Sequence, residues 1–470
     1  MSTNSALSKY KFLGLFPLVM AQIGTSGDNS VLTVATASLL ASLNATMSDI
    51  QLANIIYSLC AGCLMIVGGM VGLIVGWKKT FRIGAAMCAV GELVVAFSGN
   101  IFMFTWGGRL LVGIIPSVLG LIPGLYQGND RAFAFGAIGA ATGIASCLGP
   151  IAAGFLIDTF DWRIAFSCMA VYFTIVFVGS LLVGDVPLPE QKVRFDLKGT
   201  VVAVAGLFLL IIGISKIPVW GLIDPIAPPV IGGSPLVLFG MSPALFIALL
   251  GLITLVFLVR IERNIEKTYG SCLIPSSFLT TPQVRSGLYL TAMLFLCFGG
   301  SFFLVITYLQ LVAGFSAIMT GIAMSAMAIP MIVFSMGIPK FSPNASPKKI
   351  CRTGIAMVAL STIPMALSLN PYGVNWLMYV GLFFFGAGQG FVASQSSNII
   401  AGAVNARDAQ QSSGIQTATR NVGQAIGVAI LGVVMLFSIT GTFKDAALSS
   451  ADLSSTSKAV ISEQASIGFM

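Results

Sequence analysis

Apolar stretches long enough to cross a lipid bilayer recur along this chain with only short polar interruptions. A helix needs about 20 mostly apolar residues to span the hydrocarbon core, and thirteen stretches approach or exceed that length. Only 9% of the residues are charged and 56% are hydrophobic, which leaves too little polar surface for soluble domains. Backbone groups in lipid must bond within their own segment, so we predict helices rather than the short, alternating strands of a barrel. The predicted spans are 12–39, 51–75, 80–98, 101–125, 132–157, 163–184, 197–217, 236–259, 285–312, 316–338, 349–369, 373–399 and 411–441.

Basic residues collect in alternate loops between these spans. One set of loops includes Lys78, Arg131, Lys198 and Lys348, whereas the opposite loops hold little more than Arg163. Short loops rich in Lys and Arg stay in the cytoplasm, so we expect a multi-pass protein of the cell inner membrane with a cytoplasmic N-terminus. This placement accounts for the net charge of +8 and gives no reason to expect nucleic-acid binding.

Two polar linkers divide the spans into groups of six, two and five. We predict an N-terminal six-helix bundle at 1–190, an inserted two-helix hairpin with its linker at 191–265, and a C-terminal bundle of five helices at 266–441. The polar segment 442–470 is then an extracytoplasmic tail, because an odd number of spans places the two termini on opposite sides. We expect either that a final helix is absent or that the sequence stops before one.

Four ionisable residues lie well inside predicted spans, namely Asp28, Glu92, Arg109 and Arg420. Charges at such depth are costly unless they are paired or face water, so they point first to function. The chain contains no histidine, hence proton transfer near neutral pH must fall to carboxyl groups.

The stretch GIASCLGPIAAGF, residues 143–155, places several small residues and a proline within one predicted span. Small residues let helices approach closely, and Pro150 removes a backbone hydrogen bond and permits a bend. In its place along the chain, this stretch resembles the antiporter motif of the major facilitator superfamily, specifically of its 14-helix branch of drug:proton antiporters. The residues that carry the motif are Gly143, Gly149, Pro150 and Gly154.

Other stretches extend this resemblance over most of the chain. GDNSVLTVA at 27–35, with Asp28, is similar to the first-helix element of the family, and GGRLLVG at 107–113, with Arg109, to its fourth-helix element. YLQLVAGFSAIMTG at 308–321 and TATRNVGQAIGVAI at 417–430 resemble its ninth and thirteenth helices. The resemblance implies an all-α major facilitator fold, with two six-helix bundles, an inserted helix pair and, here, an apparently absent final helix.

The resemblance also implies a cytoplasmic gating loop after the second helix, in GGMVGLIVGWKKTFRIG at 68–84. Its expected residues are Gly72, Gly76, Lys78 and Lys79. However, Leu73 and Ile74 stand where the family usually has Asp and Arg. We therefore expect a cytoplasmic latch that is weaker or differently built.

The charged residues Asp28, Glu92 and Arg109 are predicted to share one layer of the membrane and to form the site of proton and cation coupling. Two carboxylates for one arginine leave one carboxylate that can be protonated without leaving a bare charge. We expect Asp28 to be that group and to exchange its proton for a lipophilic cation. Two alternatives stay open: a static ion pair with Arg109, and a Glu92 side chain that only reaches the membrane interface.

Polar residues of the C-terminal half are candidates for a substrate cavity, namely Gln310, Gln389, Gln395, Asn398 and Arg420. The four amides either bridge helices or line the cavity. Arg420 either extends to the membrane interface, or takes part in gating or in holding an anionic substrate group.

These features predict a proton-coupled secondary transporter that exports lipophilic, cationic, drug-like compounds by alternating access between its two bundles. We expect a monomer whose partners are a small-molecule substrate, protons and the lipid bilayer. We expect no enzymatic activity and no cofactor, and we expect transport without ATP because no phosphate-binding loop is visible. Two other functions remain open: export of an endogenous anionic metabolite or siderophore, with Arg109 and Arg420 as its ligands, and a non-transporting membrane receptor or scaffold.

Overall fold

The described chain is almost entirely helical. The computed structural model describes residues 12–449 except for 46, 115–117, 187–194, 232–233, 270–271, 276–277, 279, 342–343 and 371–372. The α-helices of the first part are α1 (Leu15–Ser42), α2 (Met47–Val75), α3 (Trp77–Ala96), α4 (Leu110–Val112), α5 (Val118–Leu125), α6 (Gly128–Thr159) and α7 (Trp162–Gly179). They are followed by α8 (Leu197–Trp220), α9 (Pro243–Tyr269), α10 (Pro282–Thr307), α11 (Ala317–Phe341), α12 (Pro347–Leu367), α13 (Trp376–Gly402) and α14 (Ala406–Ser449).

Short elements interrupt or join these helices. A π-helical turn, Met103–Arg109, precedes α4, and a second one, Tyr308–Val312, follows α10. A 3-10 turn, Ser180–Leu182, follows α7. Between α8 and α9 lies a small antiparallel hairpin of β1 (Val230–Ile231) and β2 (Ser234–Pro235). The fourth predicted span is therefore not one regular helix but a π-helical turn followed by α4 and α5.

Several helices begin where the sequence supplies a capping side chain. Asp161 accepts a hydrogen bond from the Trp162 amide at 2.7 Å, directly before α7. Asp196 accepts one from the Gly199 amide at 2.8 Å at the start of α8. Such caps satisfy backbone donors that have no partner within the helix, and they fix where the helix starts.

The predicted all-α membrane fold is confirmed. By length and composition, eight of the helices in the described part of the chain could cross a membrane. They are Gly128–Thr159, Trp162–Leu182, Leu197–Ile217, Pro243–Tyr269, Pro282–Gln310, Ile318–Phe341, Pro347–Leu367 and Trp376–Gly402. The count of thirteen spans and the division into four regions stay predictions.

Helix packing places α6 at the centre of the molecule. Within the first seven helices, α1 packs along α6 and α3 packs along α7. In the last five, α12 and α11 pack along α13, and α10 packs along α14. Contacts between these two groups run from α6 to α11 and α13, and from α2 and α5 to α14. The pair α8 and α9 pack on each other, and α8 also contacts α2 and α14, so it lies beside the line where the two groups meet.

Two predicted boundaries lie inside continuous helices. The boundary at 265 falls within α9, which runs on to Tyr269, and the boundary at 441 falls within α14, which runs on to Ser449. Hydropathy drops where charged residues begin, but Glu, Arg and Lys are good helix formers and continue the backbone hydrogen bonding. The boundary at 190 and the tail beyond 449 lie outside the described residues.

Candidate functional site

A buried ion pair lies within the first group of helices. Arg109 Nη1 donates to Asp28 Oδ1 at 2.7 Å, and both side chains are 0% exposed. Asp28 comes from the middle of α1, whereas Arg109 is the last residue of the first π-helical turn. The structure thus brings together two residues that are 81 positions apart in the sequence. An ion pair with Arg109, one of the alternatives that the sequence left open, is present, and its acidic member is Asp28.

Small residues allow the segment that carries Arg109 to lie close to α3. A methyl group at Gly91 would come within 2.7 Å of the Val112 amide nitrogen, and one at Gly108 would overlap the Val95 side chain. The π-helical turn adds a residue to the helical repeat, which changes the direction of the side chains that follow it. Arg109 consequently points into the bundle, towards α1 and α3.

Glu92 lies beside this ion pair in α3. Its side chain is 0% exposed, and it interacts electrostatically with both Asp28 and Arg109. Within the described residues neither of its carboxyl oxygens has a hydrogen-bond partner. The alternative that Glu92 only reaches the membrane interface does not hold, because protein encloses its side chain. Glu92 is buried because its side of α3 packs against the segment that carries Arg109, whatever its distance from the end of the helix.

Tyr57 completes the cluster, and sequence reasoning did not select it. The Arg109 guanidinium carbon lies 4.6 Å from the centre of the Tyr57 ring, an arrangement in which the ring face attracts the cation. The Tyr57 hydroxyl donates to the Thr25 carbonyl at 2.8 Å, which ties α2 to α1 just before Asp28. One tyrosine in an apolar helix carries no distinctive sequence signal, since tyrosines are also common at membrane interfaces.

The cluster holds two carboxyl groups and one guanidinium in a space closed to solvent. With both acids ionised it would carry a net charge of −1, which is costly in a low-dielectric surrounding. Binding one proton makes the cluster neutral, and losing it restores the charge. A group of this composition can take up and release a proton as its exposure to water changes.

The predicted antiporter motif lies on α6 between the two helix groups. A methyl group at Gly149 would lie 3.0 Å from the Ser30 side chain of α1. A methyl group at Gly143 would lie 3.4 Å from Met331 of α11, on the other side. Pro150 falls inside the same helix, and Gly154 is buried. The small residues therefore permit close packing in both directions.

A cavity lies between the two helix groups, next to α6. Its wall includes Phe135 and Thr142 of α6, Phe295 and Phe298 of α10, Gln389 of α13 and Arg420 of α14. Its volume is about 20 Å³, which is enough for a water-sized molecule and too small for an aromatic ligand. The described conformation is therefore closed around this point.

Two of the five predicted cavity residues, Gln389 and Arg420, line this cavity. Gln395 is buried at 3% exposure and donates to Ser394 at 3.4 Å. Gln310 is exposed in the second π-helical turn and does not line the cavity, contrary to the prediction. Sequence reasoning missed the aromatic part of the wall, because phenylalanines in a membrane helix do not stand out from lipid-facing ones.

Comparison with known proteins decides the family. A sequence profile of the Major Facilitator Superfamily matches residues 18–428. The chain belongs to this superfamily. It is 28% identical over 453 residues to a probable actinorhodin transporter of Streptomyces coelicolor, covering 92% of this chain and 73% of that protein. It is 26% identical to a tetracenomycin C resistance and export protein of Streptomyces glaucescens, covering 89% and 74%.

A solved structure of the superfamily has the same fold. The crystal structure of the human organic anion transporter MFSD10 superposes with a TM-score of 0.62, at 13% identity and over 97% of both chains. At this identity the likeness concerns the fold alone. Together with the sequence profile, it confirms the major facilitator fold that the motifs predicted.

The loop expected to act as a gate in this superfamily is short and tightly built here. Gly76 separates α2 from α3. Its φ of 105° is a backbone conformation that favours glycine. A methyl group at Gly72 would come within 2.7 Å of the Trp77 ring. Lys78 lies 3.6 Å from Asp185, and Lys79 is exposed. At the altered positions, Leu73 is buried at 3% exposure and Ile74 is 37% exposed.

A contact that sequence reasoning did not predict joins the two helix groups at the start of α6. Arg131 Nε donates to Asn398 Oδ1 at 3.0 Å, and Arg131 Nη1 donates to the Ala401 carbonyl at 3.2 Å. Both acceptors lie near the end of α13. Asn398 was expected in the substrate cavity, but the structure places it in this contact instead.

Proposed function

We propose that the protein is a proton-coupled exporter of lipophilic, ring-containing, antibiotic-like compounds, and that it resides in the inner membrane with its N-terminus in the cytoplasm. Two relatives that match 92% and 89% of the chain carry names that refer to the transport of actinorhodin and to resistance to and export of tetracenomycin C. The observation that carries the proton coupling is the cluster of Asp28, Glu92 and Arg109. It combines complete burial with one more acid than base.

The geometry divides the roles within the cluster. Arg109 is held by Asp28 through a short, charge-assisted hydrogen bond. Glu92 has no such bond within the described residues, and it supplies the second carboxyl group of the cluster. The proton is thus carried by the pair of carboxyl groups, with Arg109 preventing both from being neutral at once. This differs from the expectation that Asp28 alone loses and regains the proton.

The closed cavity and the contact between the helix groups fit alternating access. Arg131 joins the two groups at one end of the bundle, and the positions of the basic loops predict that this end faces the cytoplasm. Opening towards the cytoplasm would break this contact and widen the cavity. Leu73 and Ile74 have no charge with which to hold the cytoplasmic side closed. The contact of Arg131 with Asn398 would then do part of this.

The cationic substrate expected from the sequence depended on Asp28 facing the substrate. In the structure Asp28 does not line the central cavity, and Arg109 occupies its carboxylate. The position of Asp28 therefore does not favour a cationic substrate.

The proposed function is tested with purified protein in liposomes under an imposed pH gradient of either direction. The substrates are aromatic dyes of opposite charge, fluorescein and rhodamine 6G, together with aromatic antibiotics. We expect the gradient to accelerate the movement of at least one compound. We expect Asp28→Asn and Glu92→Gln each to abolish this acceleration, because neither variant keeps two carboxyl groups beside Arg109.

The control for charge removal is Asp158→Asn, since Asp158 lies exposed at the end of α6. It should transport at the wild-type rate under the same gradient. Full gradient-driven transport by both cluster variants would overturn the coupling site. If no compound moved with or without a gradient, a receptor or scaffold would be favoured over an exporter.

A further inference from the structure

Arg420 is a cationic side chain that lines the central cavity and has no acidic partner among the described residues. It comes from α14, and it lines the cavity with residues of α6, α10 and α13. Its Nη2 donates to the Ser397 hydroxyl at 3.3 Å, and its buried Nε has no hydrogen-bond partner among the residues the structure describes. Arg420 belongs to none of the ion pairs found among the described residues.

The contrast with Arg109 shows what is missing at Arg420. Both arginines lie in membrane helices, and each has an aromatic ring against its guanidinium, Tyr57 for Arg109 and Phe295 for Arg420. Arg109 also has the carboxylate of Asp28, whereas the described wall of the central cavity contains no carboxylate. A guanidinium removed from water without an anion is costly, and a bound anion would offset that cost.

We infer that the central cavity binds an organic anion, an aromatic ring system that bears a carboxylate or an ionised phenol, with the anionic group on Arg420. This inference rests on the proposed function, because it places the anion site in the transport pathway. It names the substrate class of that pathway.

The arrangement of donors around Arg420 suits such a group. A guanidinium offers five N–H donors in a planar fork that matches two carboxylate oxygens, and only the bond to Ser397 is made within the described residues. Phe295 lies against the guanidinium, 5.0 Å from ring centre to Cζ, and leaves the edge of the fork for a ligand. A lysine would supply the charge without this planar geometry.

The rest of the wall suits a flat apolar ring system. Phe298 stacks on Phe302 with ring centres 5.4 Å apart, and Phe295 lies edge-on to Phe298 at 6.3 Å. Rings of this kind pack favourably with a further aromatic ring, either stacked or edge-on. Gln389 and Thr142 add neutral polar groups that can hydrogen-bond to substituents of the ring. Because the cavity holds only about 20 Å³ here, the ligand must enter when the helix groups separate.

Binding of two dyes to purified protein in detergent tests this inference without a proton gradient. Fluorescein and rhodamine 6G share a three-ring skeleton, but fluorescein is anionic, whereas rhodamine 6G is cationic and has an esterified carboxyl group. Affinity is measured by fluorescence anisotropy at a fixed, mildly alkaline pH. We expect Arg420→Gln to weaken fluorescein binding about tenfold or more, the loss typical of a hydrogen bond to a charged group. Rhodamine 6G binding should not weaken.

Arg420→Lys and Arg163→Gln serve as companion variants. Arg420→Lys keeps the charge and should bind fluorescein with intermediate affinity, which separates a lost ligand contact from a misfolded protein. Arg163→Gln removes a partly exposed arginine at the start of α7 and should bind both dyes as the wild type does. Each variant is first compared with the wild type by size-exclusion chromatography.

The inference is overturned if wild-type protein does not bind fluorescein, if Arg420→Gln binds it as tightly as the wild type, or if that variant loses both dyes equally. Its failure is distinguishable from failure of the proposed function. Gradient-driven export of rhodamine 6G without Arg420-dependent binding of fluorescein would sink only the anion site. Arg420-dependent binding without any effect of a gradient on transport would sink only the proton coupling.

Discussion

At the scale of single residues, the cluster around Arg109 explains how charged groups persist inside an apolar bundle. Asp28 supplies the opposite charge at hydrogen-bond distance, and the Tyr57 ring covers the guanidinium. Removing one member of a buried pair leaves the other charge without compensation, which costs more than the pair itself contributes. The energetic coupling between Arg109 and Asp28 is therefore measurable.

We predict that Arg109→Gln lowers stability by about 3–5 kcal/mol, because two buried carboxyl groups then lose their cation. Asp28→Asn leaves Glu92 as the single acid beside Arg109 and should cost less. The double variant Arg109→Gln/Asp28→Asn should be more stable than the sum of the two changes predicts, since the two new amides can hydrogen-bond to each other. Thermal unfolding of the four proteins in detergent measures this coupling.

Arg163→Gln is the matched control, because Arg163 pairs with Asp161 at 3.6 Å where both side chains are partly exposed, at 41% and 46%. Exposed pairs contribute little, so its unfolding temperature should stay close to that of the wild type. If the changes at Arg109 and Asp28 were simply additive, the two residues would not act as a pair in solution.

The sequence identifies charged members of a membrane site better than neutral ones. Asp28, Glu92 and Arg109 stand out because each interrupts a long apolar stretch, and the structure brings all three together. Tyr57 and Phe295 do not interrupt such a stretch, although they lie against Arg109 and Arg420. Which residues meet also depends on helix rotation, which hydropathy does not report.

At the scale of helices, the sequence predicts where apolar stretches lie but not how regular their helices are. The span predicted at 101–125 contains a π-helical turn that ends at Arg109, and this irregularity directs the guanidinium into the bundle. Gln310 lies in the second π-helical turn and faces outwards. A turn of this kind shifts the helical repeat, so an extrapolated face is wrong beyond it.

The contact between α6 and α11 depends on glycine at position 136. A methyl group there would overlap the Ser335 carbonyl oxygen, which is backbone and cannot move aside without shifting α11. We predict that Gly136→Ala destabilises the described conformation by about 1–3 kcal/mol, as expected for added volume in a close-packed contact. The measurements are thermal unfolding in detergent and transport in liposomes, both of which should decrease.

Gly179→Ala provides the comparison at the end of α7. The nearest atom to its added methyl group would be Pro17 Cγ at 3.4 Å, an ordinary van der Waals distance. Its unfolding temperature and transport rate should match those of the wild type. Equal effects of the two substitutions would show that the α6–α11 contact is not under steric constraint.

At the scale of the whole molecule, the two helix groups meet along two separate lines. One line runs between α2 and α14 and is flanked by α8 of the inserted pair. The other runs between α6 and α11, beside the central cavity. The sequence predicts two groups and an inserted pair, but it does not say which helices meet, because helices facing another helix and helices facing lipid are similarly apolar.

A disulfide across the second line tests whether the groups move against each other during transport. A Cβ atom at Gly139 of α6 would lie 3.5 Å from Ser335 Cβ of α11, within the range of disulfide geometry. We predict that Gly139→Cys/Ser335→Cys forms an intramolecular bond under mild oxidation, detected as a cross-linked peptide by mass spectrometry. Oxidised protein should then stop transporting, because the bond holds α6 and α11 together and the cavity stays too small for a substrate.

Reduction of the disulfide should restore transport, which separates locking from damage by the substitutions. Exposure of the single variants Gly139→Cys and Ser335→Cys to the same oxidant should not change their transport rates, since neither carries the second introduced cysteine. Transport at an undiminished rate by fully cross-linked protein would mean that α6 and α11 do not separate at this level. The substrate would then have to reach the cavity along the line between α2 and α14, and α8, which contacts both of those helices, would have to move for it to pass.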